Sequence, residues 1–210
     1  MGGLIVPVAA GRLQLGKFNW GPDGPPAEAY SRVTEPERFL PLIDWTLDLL
    51  SRLEAEYDVV REENCGIDPE LERMAVTKPT VRLTPKRDGA APITAAFTHY
   101  EHAGVHVRFG RFRVEPFPDC GCDACDETAE ENFELLQEMV EAVVAGQFKE
   151  WFRLQPDGSG TLGYEFWSSE SHPGYHKGWK TIRPGTAPRF SEGKDWFVEW
   201  EPWTLRTPES

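Results

Sequence analysis

Residues 93–114, ITAAFTHYEHAGVHVRFGRFRV, carry the most regular pattern in the chain, an alternation of apolar and polar side chains around Ala103-Gly104. Alternation with a period of two is typical of β-strands, and small residues between two such runs indicate a turn. We therefore predict a β-hairpin with strands at 93–100 and 105–114. A turn at Ala103-Gly104 gives the pairs 101/106 and 99/108. It puts His99, Glu101, His106 and Arg108 on a polar face and Tyr100, Val105, Val107 and Phe109 on the buried face.

Two segments with helical spacing of apolar residues flank this hairpin. The first runs from 36 or 41 to about 60 and follows a capping-box pattern of Thr34 and Glu37. The start at 41 is an alternative because a proline such as Pro41 is tolerated only in the first turn of a helix. The second follows the capping box of Thr128 and Glu131 and ends at Gly146. Further strands are predicted at 76–83 (an edge strand, because it contains Pro79), 148–154, 161–167 and 196–200, with loops over 170–194. These patterns predict an α+β fold, with two amphipathic helices packed on a mainly antiparallel sheet of about five strands.

The chain of 210 residues suits one domain. Residues 1–33 form a Gly/Pro-rich lead-in arm with one short strand at Leu4–Val8, and residues 34–210 form a single α+β domain. The arm has no basic stretch before its apolar residues, and no run of about 20 apolar residues follows. With three of the four cysteines packed into six residues, the pattern does not resemble an extracellular disulfide framework. We expect a cytoplasmic protein.

The net charge of −13 decides which partners are favoured. Nucleic acids and anionic membranes are polyanions, so binding to either is disfavoured. Metal cations and basic protein surfaces are the natural partners for such a chain.

The most distinctive segment is the cysteine loop, defined here as residues 119–127, Asp-Cys-Gly-Cys-Asp-Ala-Cys-Asp-Glu. Cys120, Cys122 and Cys125 can converge on one cation, and thiolates are good zinc ligands. The fourth ligand is open: Cys65, His172, His176 or a neighbouring aspartate could supply it. Nine acidic residues and no lysine or arginine lie between Asp119 and Glu141, so we expect raised thiol pKa values and no catalytic cysteine.

No catalytic motif is complete in this chain, which carries neither Gly-x-Ser-x-Gly, His-Glu-x-x-His nor a Walker-type loop. No catalytic residue is therefore named. Six of the eight tryptophans lie in the last third of the chain. Trp196 and Trp200 alternate with Val198 as a core-facing strand does, whereas Trp179 is expected to be exposed in a loop.

Residues 107–151 resemble an uncharacterised family of actinobacterial proteins. The resemblance rests on Arg-Phe-Gly-Arg-Phe-x-Val-Glu-x-Phe-Pro-x-Cys-Gly-Cys-Asp-Ala-Cys-Asp-Glu, the acidic helix and Val-Val-Ala-Gly-Gln-Phe-Lys-Glu-Trp. It extends from about Tyr30 to Trp203, and Cys65 is not part of its motif. The resemblance implies a bacterial, cytoplasmic protein with no established activity, cofactor or catalytic residue.

Three functional hypotheses follow from these patterns. The first is a non-enzymatic, immunity- or inhibitor-like domain that binds a basic protein through its acidic helix, with a cysteine loop that holds structural zinc. The alternative is a metal-dependent enzyme that uses the cysteine loop together with His172 or His176. The third is a small-ligand site at the tryptophan-rich end, which requires a solvent-reachable Trp179 or Trp203.

Overall fold

The computed structural model describes residues 20–65, 80–99, 103–167, 175–187 and 193–207. These residues form two α-helices and nine strands, arranged in two antiparallel sheets of five and four strands. The fold is therefore α+β with antiparallel sheets, as predicted, but the expectation of one sheet of about five strands is wrong. The predicted strand Leu4–Val8 lies outside the described residues. Neither described helix is long and apolar enough to cross a membrane.

The two helices differ in how they begin. Helix α1 spans Pro41–Glu56 with Pro41 in its first turn, and a separate 3₁₀ helix precedes it at Pro36–Phe39. Thr34 caps neither of them, so the first predicted capping box is wrong. Helix α2 spans Ala129–Val144, and its predicted capping box is confirmed because Thr128 and Glu131 bond reciprocally.

Gly146 follows the C-terminus of α2, as predicted, with φ at +72°. A Cβ atom there would lie 2.6 Å from the backbone nitrogen of Pro202. The turn therefore requires glycine both for its backbone conformation and for its close contact with the C-terminal segment.

The five-stranded sheet runs in chain order from β1 to β5. Its strands are β1 (Val59–Glu63), β2 (Val81–Pro85), β3 (Ile93–His99), β4 (Ala103–Phe109) and β5 (Arg113–Phe117). Strand β2 pairs on both sides, so it is an interior strand and not the predicted edge. The predicted strand 105–114 is divided by a turn at residues 110–112, where Gly110 has φ at +59°.

The predicted hairpin exists as β3 and β4, but its register is wrong. Ala103 and Gly104 belong to β4 and pair with His99 and Thr98, whereas Arg108 pairs with Thr94. Residues 100–102 connect the two strands and lie outside the described residues. The predicted positions of Tyr100 on the buried face and Glu101 on the polar face are therefore not tested. The predicted buried face of β4 is confirmed, because Val105, Val107 and Phe109 are buried while His106 and Arg108 are partly exposed.

The four-stranded sheet has the order β8-β7-β6-β9. Its strands are β6 (Phe148–Leu154), β7 (Gly160–Trp167), β8 (Tyr175–Ile182) and β9 (Trp196–Glu199). The predicted hairpin of β6 and β7 is confirmed. Strand β8 lies in the segment 170–194, where the sequence predicted loops. That prediction was wrong because the Gly and Pro residues around the strand obscure its alternation of apolar and polar side chains.

One hydrophobic core joins both helices to both sheets. Phe166 of β7 stacks on Phe148 of β6 at 4.4 Å and meets Phe109 of β4 edge-on at 5.4 Å between ring centroids. Trp200 and Trp203 are also buried in this core. The two sheets therefore share their interior, and β5 leads through the cysteine loop into α2.

Candidate metal centre

The cysteine loop brings its three thiols together. The Sγ atoms of Cys120, Cys122 and Cys125 all lie within 4.8 Å of one another. The Cys120 thiol donates a hydrogen bond to the Cys122 sulfur at 3.2 Å, which is much longer than a disulfide bond. Sulfurs around a tetrahedral zinc ion lie about 3.8 Å apart, because each Zn–S bond is about 2.3 Å long. These three residues therefore form a cluster that could hold a metal ion.

Asp123 holds the loop in this shape. Its side chain is completely buried and accepts hydrogen bonds from Arg32 Nε at 2.6 Å, from the Thr34 backbone N–H at 2.7 Å and from the Thr34 hydroxyl at 2.7 Å. Arg38 lies 3.8 Å from the same carboxylate. Burial opposes ionisation of Asp123, but the hydrogen bonds from Arg32 and Thr34 outweigh it and lower the pKa to about 2.

Backbone contacts fix the rest of the loop against the segment before α1. The Asp123 N–H donates to the Arg32 carbonyl at 2.8 Å, and the Ala124 N–H donates to the Ala29 carbonyl at 3.2 Å. Arg38 Nη2 donates to the Gly121 carbonyl at 3.0 Å. Ala29 belongs to the 3₁₀ helix Ala27–Ser31 and is completely buried, so this helix is packed into the fold where the cysteine loop contacts it. The thiol arrangement therefore depends on residues far away in the sequence.

The three thiols differ in their ionisation. Burial and the neighbouring thiols raise the pKa of Cys125 to about 12, and burial also raises the pKa of Cys120. Burial opposes ionisation of Cys122 too, but hydrogen bonds from Cys120 and from the backbone N–H groups of Cys125 and Ala124 lower its pKa. The expectation of raised pKa values thus holds for two thiols and is wrong for Cys122. A cation held here would be bound by the thiolates of Cys120, Cys122 and Cys125, and their protons would be released on binding.

The expected fourth ligands do not join this cluster within the described residues. Cys65 follows β1 and hydrogen-bonds Thr80, whereas the cysteine loop follows β5 at the opposite edge of the same sheet. Four strand spacings of about 4.8 Å separate these edges by roughly 19 Å. His176 pairs with Phe166 in the other sheet, and His172 lies outside the described residues.

Two carboxylates of the cysteine loop, those of Asp123 and Glu127, are also engaged elsewhere. Asp123 faces Arg32 and Thr34, and Glu127 accepts hydrogen bonds from the Cys120 N–H at 3.0 Å and from Asn132 at 3.0 Å. Asp123 is one of several acidic residues next to the thiols, and its role as the anchor of the loop is not visible in the sequence. No local signal could have revealed that role, because its partners lie about 90 residues earlier in the chain.

The burial of the C-terminal tryptophans agrees with the prediction only in part. Trp203 is buried and donates to the Ala91 carbonyl at 2.9 Å, so it is not solvent-reachable. Trp179 is 70% exposed, but it lies on strand β8 and not in a loop. In β9, Trp196 and Val198 are partly buried, whereas Phe197 between them is exposed.

The fold and the thiol cluster together define a two-sheet α+β protein with a three-cysteine centre on the loop before its second helix. The chain belongs to a family of unknown function, DUF6226, whose family model matches residues 10–207. No curated protein and no solved structure matches it.

Proposed function

We propose that this chain is a non-enzymatic binding domain in which Cys120, Cys122 and Cys125 hold a zinc ion and α2 presents an acidic surface to a basic protein partner. The observation that carries the proposal is the convergence of three thiols on a loop anchored by buried Asp123. Three thiolates around Zn²⁺ leave a net charge of −1, so the centre adds to the acidic surface and does not neutralise it. A water molecule or a residue of the partner would take the fourth position.

The acidic surface, called here the glutamate stripe, consists of Glu130, Glu134, Glu138 and Glu141. All four side chains are exposed, and the spacing of three and four residues places them on one side of α2. Like charges at this spacing destabilise a helix by a few tenths of a kcal/mol per pair. None of the four forms an ion pair within the described part of the chain. A basic partner would relieve this repulsion and would be attracted from a distance.

Zinc binding is tested by native mass spectrometry of protein purified without chelator or added metal. We expect one zinc ion per chain, retained in Cys65→Ser and lost in Cys122→Ser. Cys65→Ser is the matched control because it removes a thiol at the opposite edge of the sheet. Zinc that survives Cys122→Ser, or wild-type protein without zinc and with freely alkylated thiols, would contradict the metal centre.

Partner binding is tested by comparing two charge reversals of equal size. Proteins captured by the wild-type chain should be lost with Glu134→Lys/Glu138→Lys and retained with Asp23→Lys/Glu199→Lys, whose side chains are also exposed. Calorimetry with a captured protein should show an affinity that falls steeply between low and physiological salt. Equal capture by both variants would rule out the glutamate stripe as the binding surface.

The alternative is a metal-dependent enzyme, and one observation favours it. A three-cysteine set leaves one coordination position open, as catalytic zinc sites do. Cobalt substitution tests this alternative, since the activated water of a catalytic site, with a pKa near 7, would change the visible spectrum with pH. A spectrum that is constant between pH 6 and 8 would contradict the enzyme.

A further inference from the structure

A cleft of about 350 Å³ opens between the two sheets. The turn after β4 and strand β5 form one wall, and strands β6, β7 and β8 form the other. The lining combines aromatic and basic side chains: Phe112, Tyr164 and Trp179 with His106, Arg113 and Lys180. This volume is at the lower end of the range of small-molecule sites.

Glu150 is the acidic side chain in the lining, and its carboxylate is already engaged by hydrogen-bond donors. It is 1% exposed and accepts hydrogen bonds from the backbone N–H groups of Arg111, Phe112 and Arg113 at 2.8, 2.9 and 3.0 Å. Trp200 Nε1 donates a fourth at 3.2 Å. Burial raises the pKa of Glu150, against the lowering effect of these bonds. The carboxylate therefore organises the wall of the cleft.

Arg113 is the basic side chain most firmly placed in the cleft. Its guanidinium lies 3.8 Å from the centre of the Tyr164 ring and forms an ion pair with Glu115. Its Nε atom is buried and donates no hydrogen bond within the described part of the chain. A buried N–H without an acceptor costs about 1–3 kcal/mol. An anionic group in the cleft would supply that acceptor.

Tyr164 is itself held by a glycine on the next strand. Gly178 pairs with Tyr164, and a Cβ atom at position 178 would lie 2.8 Å from the Tyr164 ring. The close approach fixes the ring against β8. Lys180 lies two residues further along β8 and brings a second positive charge to the same wall. Arg113 and Lys180 therefore bring two positive charges to one concave place, where Glu115 pairs with Arg113.

We propose that this cleft binds a small ligand that combines a planar apolar body with an anionic group, the anion meeting Arg113 and Lys180 and the planar body lying against Phe112 and Tyr164. None of the three cysteines lines this cleft, so the proposal does not depend on the proposed function. It gives the chain a small-molecule ligand in addition to any protein partner.

The test uses two fluorescent probes that share an aromatic body and differ in charge: 1-anilinonaphthalene-8-sulfonate, an anion, and N-phenyl-1-naphthylamine, which is neutral. We expect the folded protein to bind one sulfonate probe per chain and to bind the neutral probe about tenfold more weakly. Amide NMR signals of Gly163 and Gly178, which line the cleft, should shift on binding. No binding by the folded protein, or shifts confined to residues outside the cleft, would overturn the proposal.

Two substitutions identify the groups that meet the anion. Arg113→Gln and Lys180→Gln should each weaken binding of the sulfonate probe by about threefold to tenfold and leave the neutral probe unaffected. Lys194→Gln, an exposed lysine outside the cleft, is the matched control and should change neither. Lys180→Gln keeps the test decisive if loss of Arg113 unfolds the protein. Equal binding of the sulfonate probe by Lys180→Gln and Lys194→Gln would exclude the anion site.

Discussion

At the scale of single residues, two buried carboxylates organise the molecule, and each does so by accepting hydrogen bonds from distant segments. Asp123 joins the cysteine loop to the segment before α1, and Glu150 joins β6 to the turn between β4 and β5. A carboxylate accepts hydrogen bonds at both oxygens, whereas an amide of the same shape accepts at its one oxygen and donates from its NH₂ group. Substitution of either by its amide therefore tests the arrangement without changing the size of the side chain.

The first prediction concerns Asp123 and pH. The pKa of Asp123 is about 2 in the folded protein, below the value of about 3.9 expected for an unfolded chain. The ionised carboxylate therefore stabilises the fold above pH 4, and this stabilisation is lost as the pH falls towards 2. We expect Asp123→Asn to lower Tm at pH 7 and to flatten its dependence on pH between 4 and 2. The measurement is thermal unfolding with a chelator present, so that metal loss does not contribute. Asp119→Asn, exposed in the same loop, should behave like wild type.

The second prediction concerns Glu150. The Arg111 backbone N–H and Trp200 Nε1 both donate to one carboxylate oxygen of Glu150. In Glu150→Gln the amide NH₂ would take the place of that oxygen, and these two buried N–H groups would lose their acceptor. We expect the free energy of unfolding to fall by at least about 2 kcal/mol, measured by urea denaturation. Glu199→Gln on the exposed side of the same sheet should change it by less than about 0.5 kcal/mol. Equal effects of the two substitutions would contradict the assigned role of Glu150.

At the scale of elements, α2 is the helix whose start is specified locally. Its capping box satisfies two N–H groups that would otherwise lack partners. We expect Thr128→Ala to cost about 1 kcal/mol in urea denaturation and Thr128→Ser to cost little. Thr34→Ala provides the contrast, because Thr34 bonds Asp123 and caps no helix. Its effect should disappear in an Asp123→Asn background, whereas that of Thr128→Ala should persist.

At the scale of the whole molecule, the shared core predicts that both sheets unfold together. Phe166 belongs to the four-stranded sheet and packs on Phe109 of the five-stranded sheet. We expect Phe166→Ala to destabilise the protein by about 3–5 kcal/mol. Circular dichroism in the far ultraviolet and tryptophan fluorescence should give coincident transitions for wild type and variant. Two separated transitions would show that the sheets are independent units.

The sequence by itself determined the features that depend on neighbours a few residues apart. The buried face of β4, the hairpin of β6 and β7, the capping box of α2 and the spacing of the three cysteines are all local patterns. They could be predicted because alternation, capping and ligand spacing each act within about one helical turn or one hairpin.

Only the tertiary structure decided how these parts combine. The division into two sheets, the strand β8 between Gly- and Pro-rich segments, and the register of β3 with β4 depend on pairing between strands. Asp123 reaches Arg32 across 91 residues of sequence, and Glu150 reaches Arg113 across 37. A buried carboxylate is stable only where several donors converge on it, and that convergence arises only when the chain is folded.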